Sequence, residues 1–279
     1  MRDECAKMAL VKQILTEKYG FDCHAYSDDF ISRRVRKRLD AMALTDTDHL
    51  SSQLLINEEL AVEVMQDFQV SVTRMFRNTK FFLALRKDII PVLRTYPYLR
   101  IWVAGCATGE EVYSLAIILH EEGLLKQSQI YATDISRKAL DTAREGVYSN
   151  EKIRQYSSAY QKAGGKASLA DYYTSSYGSV MMASLLKEKI VFASHNMISD
   201  ASFNTMQLIL CRNTLIYFTA ETQQQVIQNF SQSLCNDGFL GLGRSETLMH
   251  LPVKKDFTNF KKEVKLYRKG SEEILRAGE

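Results

Sequence analysis

Four short polar segments of this sequence each follow an apolar run, and each carries side chains suited to holding part of a small ligand. The first is Gly105-Cys-Ala-Thr-Gly109-Glu110-Glu111, directly after Leu99–Ala104 (LRIWVA). Gly105 and Gly109 let the backbone approach a ligand closely, although paired glycines also serve packing at strand–helix turns. Their spacing is GxxxG, not the GxGxxG of a dinucleotide fingerprint. Two carboxylates at the helix start would repel a pyrophosphate. A cationic ligand suits the loop better, and S-adenosylmethionine carries a sulfonium and an ammonium. The second segment ends in Asp134, whose carboxylate can accept two hydrogen bonds from ribose hydroxyls, or can simply sit at a helix N-terminus. The third carries Asn196, an amide able to read an adenine edge. The fourth is Cys211-Arg212-Asn213, followed by Ile216-Tyr217-Phe218.

Elements that could position these groups are legible in the pattern. Leu99–Ala104, Gln129–Asp134, Lys189–Ala193 and Gln207–Cys211 read as buried strands, and Phe239–Leu242 as a further strand after an Asp237-Gly238 turn. Val112–His120, Ser136–Glu145 (with Ser136 as N-cap) and Thr219–Leu234 read as helices between them. Strands alternating with helices of this length predict a parallel, doubly wound α/β sheet, whose ligands sit beyond the carboxyl ends of the strands. Phe257–Lys269 predicts one or two closing strands. Residues 150–188, rich in Tyr, Ser and Gly, are too long for a plain connection and predict a small inserted subdomain. Residues 1–75 predict a helical domain, with Leu54, Leu55, Leu60, Val64 and Phe68 at helical spacing. The remainder, 76–279, is the sheet domain, with the insertion at about 155–190.

Composition sets bounds. The 279 residues are 46% hydrophobic and 25% charged, a globular balance. A formal net charge of +3 is too small to argue nucleic-acid binding. Cys5, Cys23, Cys106, Cys211 and Cys235 show no CxxC spacing, so neither a metal site nor a disulfide framework is expected, and a reducing cytoplasm fits them. MRDECAKMAL lacks the apolar run of a signal peptide, and no stretch reaches the ~18 apolar residues of a membrane span. The expectation is a cytoplasmic monomer without membrane insertion. One local anomaly stands out. In Ile31–Leu39, Ile31, Val35, Leu39 and Met42 share a helix face, and Arg33, Arg34, Arg36, Lys37 and Arg38 fill the rest of the circumference. Residues 1–72 otherwise lean acidic, with nine Lys/Arg against thirteen Asp/Glu, a net of −4. The stripe is either a docking surface or a solvated face.

These segments together resemble the chemoreceptor glutamate methyltransferases, the CheR family. GCATGEEVYSLAIIL (105–119) is similar to that family's glycine motif, and YATDI (131–135) to its ribose-binding strand. LILCRNTLIYF (208–218) resembles its Cys-Arg-Asn…Ile-Tyr-Phe signature, and GFLGLGRSETL (238–248) its later glycine-rich strand ending in Ser-Glu. Ser71-Val-Thr73-Arg-Met-Phe76-Arg77 resembles its Thr-x-Phe-Phe-Arg segment. Ser71, Met75, Val112 and Arg244 depart from the usual asparagine, phenylalanine, proline and histidine.

The resemblance implies a Rossmann-like methyltransferase sheet with a helical N-terminal domain and an inserted β-subdomain. It implies S-adenosylmethionine as cofactor, with contacts at Ser71, Thr73, Arg77, Gly105, Glu111, Asp134, Asn196, Met197, Arg212 and Asn213. It places Arg77 and Tyr217 beside the transferring methyl group, and it makes a glutamate of a chemoreceptor signalling domain the acceptor. No metal is required. The basic helix then becomes the substrate-docking surface. Some members capture a receptor C-terminal peptide on the inserted subdomain, through a loop with spaced glycines after an arginine. Here Tyr160–Ser168 holds only the adjacent pair Gly164-Gly165, the mark of a hairpin turn, so independence from such a tether is expected. The competing readings are a methyltransferase on another protein or a small molecule, and a catalytically silent cofactor-binding module. A nicotinamide-dependent oxidoreductase is disfavoured by the missing GxGxxG.

Overall fold

The computed structural model describes residues 2–270; Met1, the side chains of residues 2–6 (Cys5 among them) and residues 271–279 lie outside the described part. The chain divides into two units. One comprises residues 1–70 with Tyr217–Gln223, and the other Ser71–Ile216 with residues 224–279.

The first unit is built from α1 (Arg2–Tyr19), α2 (Asp28–Ala41), α3 (Thr47–Ile56) and α4 (Glu58–Asp67). Asp46 and Asn57 cap α3 and α4 by accepting backbone N–H bonds. α2 buries Ile31, Val35 and Leu39, as the 3.6-residue period requires, against a core that includes Val11, Leu15, Leu50, Leu54 and Val64. Helical spacing predicts Leu55 in the same apolar series, but it is exposed: Asn57 ends α3 and starts α4, so the series is split between two helices. Residues 217–223 join this unit through Ser27 N–H to Tyr217 O (2.9 Å) and Thr219 N–H to Ala25 O (3.0 Å).

The second unit opens with α5 (Thr79–Ala84), which runs through a π-helical turn, Leu85–Ile89, into α6 (Ile90–Leu93). Then follow β1 (Leu99–Ala104), α7 (Glu110–Glu121), β2 (Ser128–Asp134) and α8 (Arg137–Glu145). An insertion carries β3 (Val147–Ser149), α9 (Asn150–Lys162), β4 (Tyr173–Ser176), β5 (Ser179–Met182) and α10 (Ser184–Lys187). The series closes with β6 (Ile190–Ser194), β7 (Met206–Cys211), α11 (Ala220–Ser233), β8 (Leu234–Leu242), β9 (Phe257–Lys261) and β10 (Leu266–Lys269). The main sheet has the order β6-β2-β1-β7-β8-β10-β9. Its first five strands are parallel, and β10 and β9 close it antiparallel. This is the expected Rossmann-like α/β sheet. Because strand order reverses between β1 and β7, the loops after those strands flank the switch point where such sheets bind ligands.

Three details differ from the sequence pattern. β6 is an edge strand rather than a buried one: Val191 is 45% exposed, because only β2 pairs with it. The Asp237-Gly238 turn is absorbed into β8, with Asp237 in the left-handed region (φ 63°) and a register shift against β7. The insertion starts three residues earlier than the pattern predicts, with β3, and residues 150–162 are the helix α9; its sheet has the antiparallel order β3-β5-β4. Gly164-Gly165 ends α9 instead of forming a hairpin. The hairpin turn is Tyr177-Gly178, two consecutive residues with positive φ (47° and 78°) joining β4 to β5.

Candidate active site

The loop after β1 is held by Asp134. Its Oδ2 accepts from Ala107 N (2.8 Å) and its Oδ1 from Ser136 N (2.9 Å), and Ser136 in turn caps α8. One carboxylate therefore shapes both the glycine loop and the start of the next helix. Each oxygen keeps acceptor capacity for a ribose hydroxyl. Burial pushes this carboxyl above the usual carboxylate range, against the pull of its backbone N–H bonds. The glycines face protein. A Cβ on Gly105 (φ 73°) would meet Thr214 Oγ1 at 2.5 Å, and one on Gly109 (φ 92°) would meet the Ala143 Cβ at 2.9 Å. Close approach of the loops after β1 and β7, rather than contact with a ligand, is what forbids a side chain at Gly105.

The two glutamates do not form an open cation trap. Glu110 is fully buried, accepts from Thr108 Oγ1 (2.6 Å) and pairs with Lys152 (3.3 Å). Glu111 Oε2 accepts from Arg212 Nη1 (2.6 Å), while Oε1 accepts from no described residue and remains for a cationic ligand group. Arg212 is the hub. Its Nη2 donates to the Arg77 carbonyl (3.0 Å), and its guanidinium lies 4.0 Å from the Phe81 ring centroid. The buried Arg212 Nε has no acceptor, an unsatisfied donor that a ligand carboxylate would complete. Arg212 thereby links the segment carrying Arg77 to α7 and to the end of β7. The Arg77 guanidinium itself is half-buried and makes no ion pair with a described residue.

Sequence reasoning did not assign Glu246 to the site. It is 4% exposed and accepts four backbone N–H bonds. Oε1 takes Thr214 (2.9 Å) and Leu215 (2.8 Å), and Oε2 takes Asn213 (2.9 Å) and Gly243. Burial pushes its carboxyl up, and those four bonds pull it back. This cage fixes the turn after β7, where Asn213 adopts φ 63°. The Ser-Glu ending of the glycine-rich strand was the available signal. Asn196 accepts from Ile198 N through Oδ1 (3.0 Å), which leaves its amide N–H groups for an adenine edge, and Met197 beside it is buried. Ser71 and Thr73 lie in the non-regular segment before α5.

Tyr217 belongs to the helical unit. Its ring packs on Phe30 at 4.7 Å between centroids, within an aromatic group that includes Tyr26, Phe68 and Phe218. On α2, Arg33, Arg36 and Lys37 are exposed. Arg38 differs: it pairs with Glu63 (2.7 Å) and Asp67 (2.6 Å) on α4, and Arg34 covers the Phe30 ring. Part of the basic stripe therefore braces the helices.

The loops after β1, β2, β6 and β7 thus present a carboxylate able to accept from hydroxyls, an amide with N–H groups to donate, and a carboxylate–guanidinium pair able to meet an ammonium and a carboxylate. Their partner groups are all found in S-adenosylmethionine. The family model described as CheR methyltransferase, SAM binding domain, matches residues 71–265. This chain belongs to the CheR methyltransferase family. A Cher3 protein of Pseudomonas putida is 38% identical over 96% of this chain and 98% of its own length. Proteins named chemotaxis protein methyltransferase from Listeria monocytogenes and Escherichia coli K12 are 28% and 27% identical, covering 85% and 86% of this chain and 88% and 84% of theirs. As a CheR-family methyltransferase the chain uses S-adenosylmethionine, and the donor set described above fits that cofactor.

Proposed function

We propose that this chain methylates glutamate side chains in the cytoplasmic signalling domain of bacterial chemoreceptors, forming the glutamyl methyl esters of chemotactic adaptation. The observation that carries the reading is Arg77: Arg212 holds its backbone, while its guanidinium has no described carboxylate partner. The relatives named chemotaxis protein methyltransferase support a substrate that belongs to chemotaxis.

The cofactor supplies an electrophilic methyl group on sulfur. A glutamate acceptor has an unperturbed pKa of about 4.3 and is already ionised at neutral pH, so no residue need remove a proton. The protein's task is alignment and exclusion of water. Arg77 holds the acceptor carboxylate by a bidentate pair, and the Tyr217 hydroxyl donates to it. Ser71, Thr73, Gly105, Glu111, Asp134, Asn196, Met197, Arg212 and Asn213 hold the cofactor. Arg33, Arg36 and Lys37 of α2 attract the acidic receptor, with Arg34 and Arg38 as their structural support. The enzyme acts as a cytoplasmic monomer, needs neither nucleic acid nor membrane insertion, and works without a receptor tail tether.

The test is mass spectrometry of receptor signalling domains incubated with enzyme and S-adenosylmethionine. The expected product is a base-labile methyl ester on glutamate. Methylation confined to lysine, or absence of any methylated glutamate across receptors, would overturn the assignment.

A further inference from the structure

The second unit has a surface cleft of about 850 Å3 that none of the assigned roles uses. Five cations line it: Arg74, Lys80, Lys152, Lys162 and Arg244, all solvent-exposed, against the single carboxylate of Glu263. Lys152 is committed to Glu110. Arg74, Lys80, Lys162 and Arg244 make no ion pair with any described residue. Four uncompensated cations around one concavity repel each other, and low-dielectric walls concentrate their field, so an anionic ligand is what such a cleft favours. Its floor is apolar, from Met75, Phe76, Tyr156 and Val264.

The walls continue directly into the cofactor segments. Arg74 lies between Thr73 and Arg77. Lys152 touches Glu110, next to Glu111. Arg244 follows Gly243, whose N–H is held by Glu246. Arg77 and Glu111 do not themselves line the cleft, but the segments that carry them supply Arg74 to its wall and Glu110 to its Lys152. Cations around an apolar floor match an amphipathic helix with glutamates on one face. We infer that this cleft binds a glutamate-rich helical face of the methyl-accepting protein and delivers it to the site; the inference rests on the glutamate methylation proposed above.

The probe is a synthetic helical peptide with glutamates along one face, beside its glutamine twin and a single-stranded oligonucleotide of similar charge. The wild-type protein, saturated with S-adenosylhomocysteine, is expected to bind the glutamate peptide at low salt and release it as salt rises, with no binding of the twin. The double variant Lys80→Glu/Lys162→Glu should lose about tenfold or more of that affinity, and the neutral pair Lys80→Gln/Lys162→Gln an intermediate amount. Unchanged S-adenosylhomocysteine affinity certifies that both variants are folded. Equal peptide binding by wild type and variants, or preference for the oligonucleotide, overturns the inference. If wild-type enzyme methylates no receptor yet binds the peptide through Lys80 and Lys162, the proposed reaction and the delivery of an acceptor fall, and only the cleft's preference for an acidic helical face stands.

Discussion

Asp134 carries two duties, and its substitutions separate them. It orders the glycine loop through Ala107 and the start of α8 through Ser136, and it is assigned to the ribose. Asp134→Ala should weaken S-adenosylhomocysteine binding by about 1.5–3 kcal/mol in calorimetry, the range for a hydrogen bond to a charged group. Unchanged affinity would remove it from the site. Tyr217 belongs to a different free-energy difference, because its hydroxyl is assigned to the reacting carboxylate. Tyr217→Phe should lower turnover while leaving cofactor affinity near wild type. Full turnover at saturating receptor would return this side chain to its packing role on Phe30.

Among the elements, the insertion is tied to α7 by a buried cluster around Glu121. This carboxylate pairs with Arg86 (2.5 Å) and accepts from Tyr172 (3.0 Å), from the Lys166 N–H (2.9 Å) and from Tyr160. Burial alone would raise its pKa, but those bonds and the Arg86 charge outweigh it, and the net shift is downward from 4.5. A depressed folded-state value means that the contribution of Glu121 to stability is complete above the ordinary carboxylate value. It is lost as pH falls through the folded value. Glu121→Gln should cost about 3 kcal/mol near neutral pH, at the low end for a broken buried pair because Glu122 still reaches Arg86 at 2.8 Å. Thermal melts should show the gap between variant and wild type closing as the solution is acidified below pH 4.5. A gap independent of pH would assign the loss to shape rather than charge. On α2, reversing Arg33 and Lys37 to glutamate should raise the apparent KM for receptor at low salt without altering helix stability. Reversing Arg38 should destabilise the helical unit, because it faces Glu63 and Asp67. Equal KM in the Arg33/Lys37 variant would leave the exposed part of the stripe as a solvated surface.

At the scale of the whole molecule, the receptor substrate proposed above would be recruited without a tail tether. The Gly164-Gly165 pair closes α9, with Gly165 packed so closely on the Tyr160 ring that a Cβ would lie 2.3 Å from it. That pair is half-buried, and the face of Gly165 that lacks a side chain is turned to the Tyr160 ring rather than to an approaching peptide. Receptors with and without their aromatic-rich tail should therefore be methylated at similar rates. Micromolar binding of the free tail peptide, or strong loss of activity on its removal, would overturn tether independence.

Local chemistry makes the sheet legible in the sequence itself. The apolar runs, the Ser136 cap, the glycine turns and the side chains at strand ends are properties of neighbouring residues, and the pattern places Asp134, Asn196 and Arg212 at the ends of β2, β6 and β7. What the pattern could not supply were relations between distant segments. The Glu111–Arg212 pair joins positions 101 residues apart, and the Glu246 cage closes over residues 31–33 positions earlier. Whether Arg38 is a docking charge or a brace depends on Glu63 and Asp67 standing opposite it. The cleft is invisible in the sequence for the same reason: Arg74, Lys80, Lys162 and Arg244 are unremarkable singly. Periodicity and capping act over a few residues, whereas charge pairing and concavity depend on which surfaces the completed fold brings face to face.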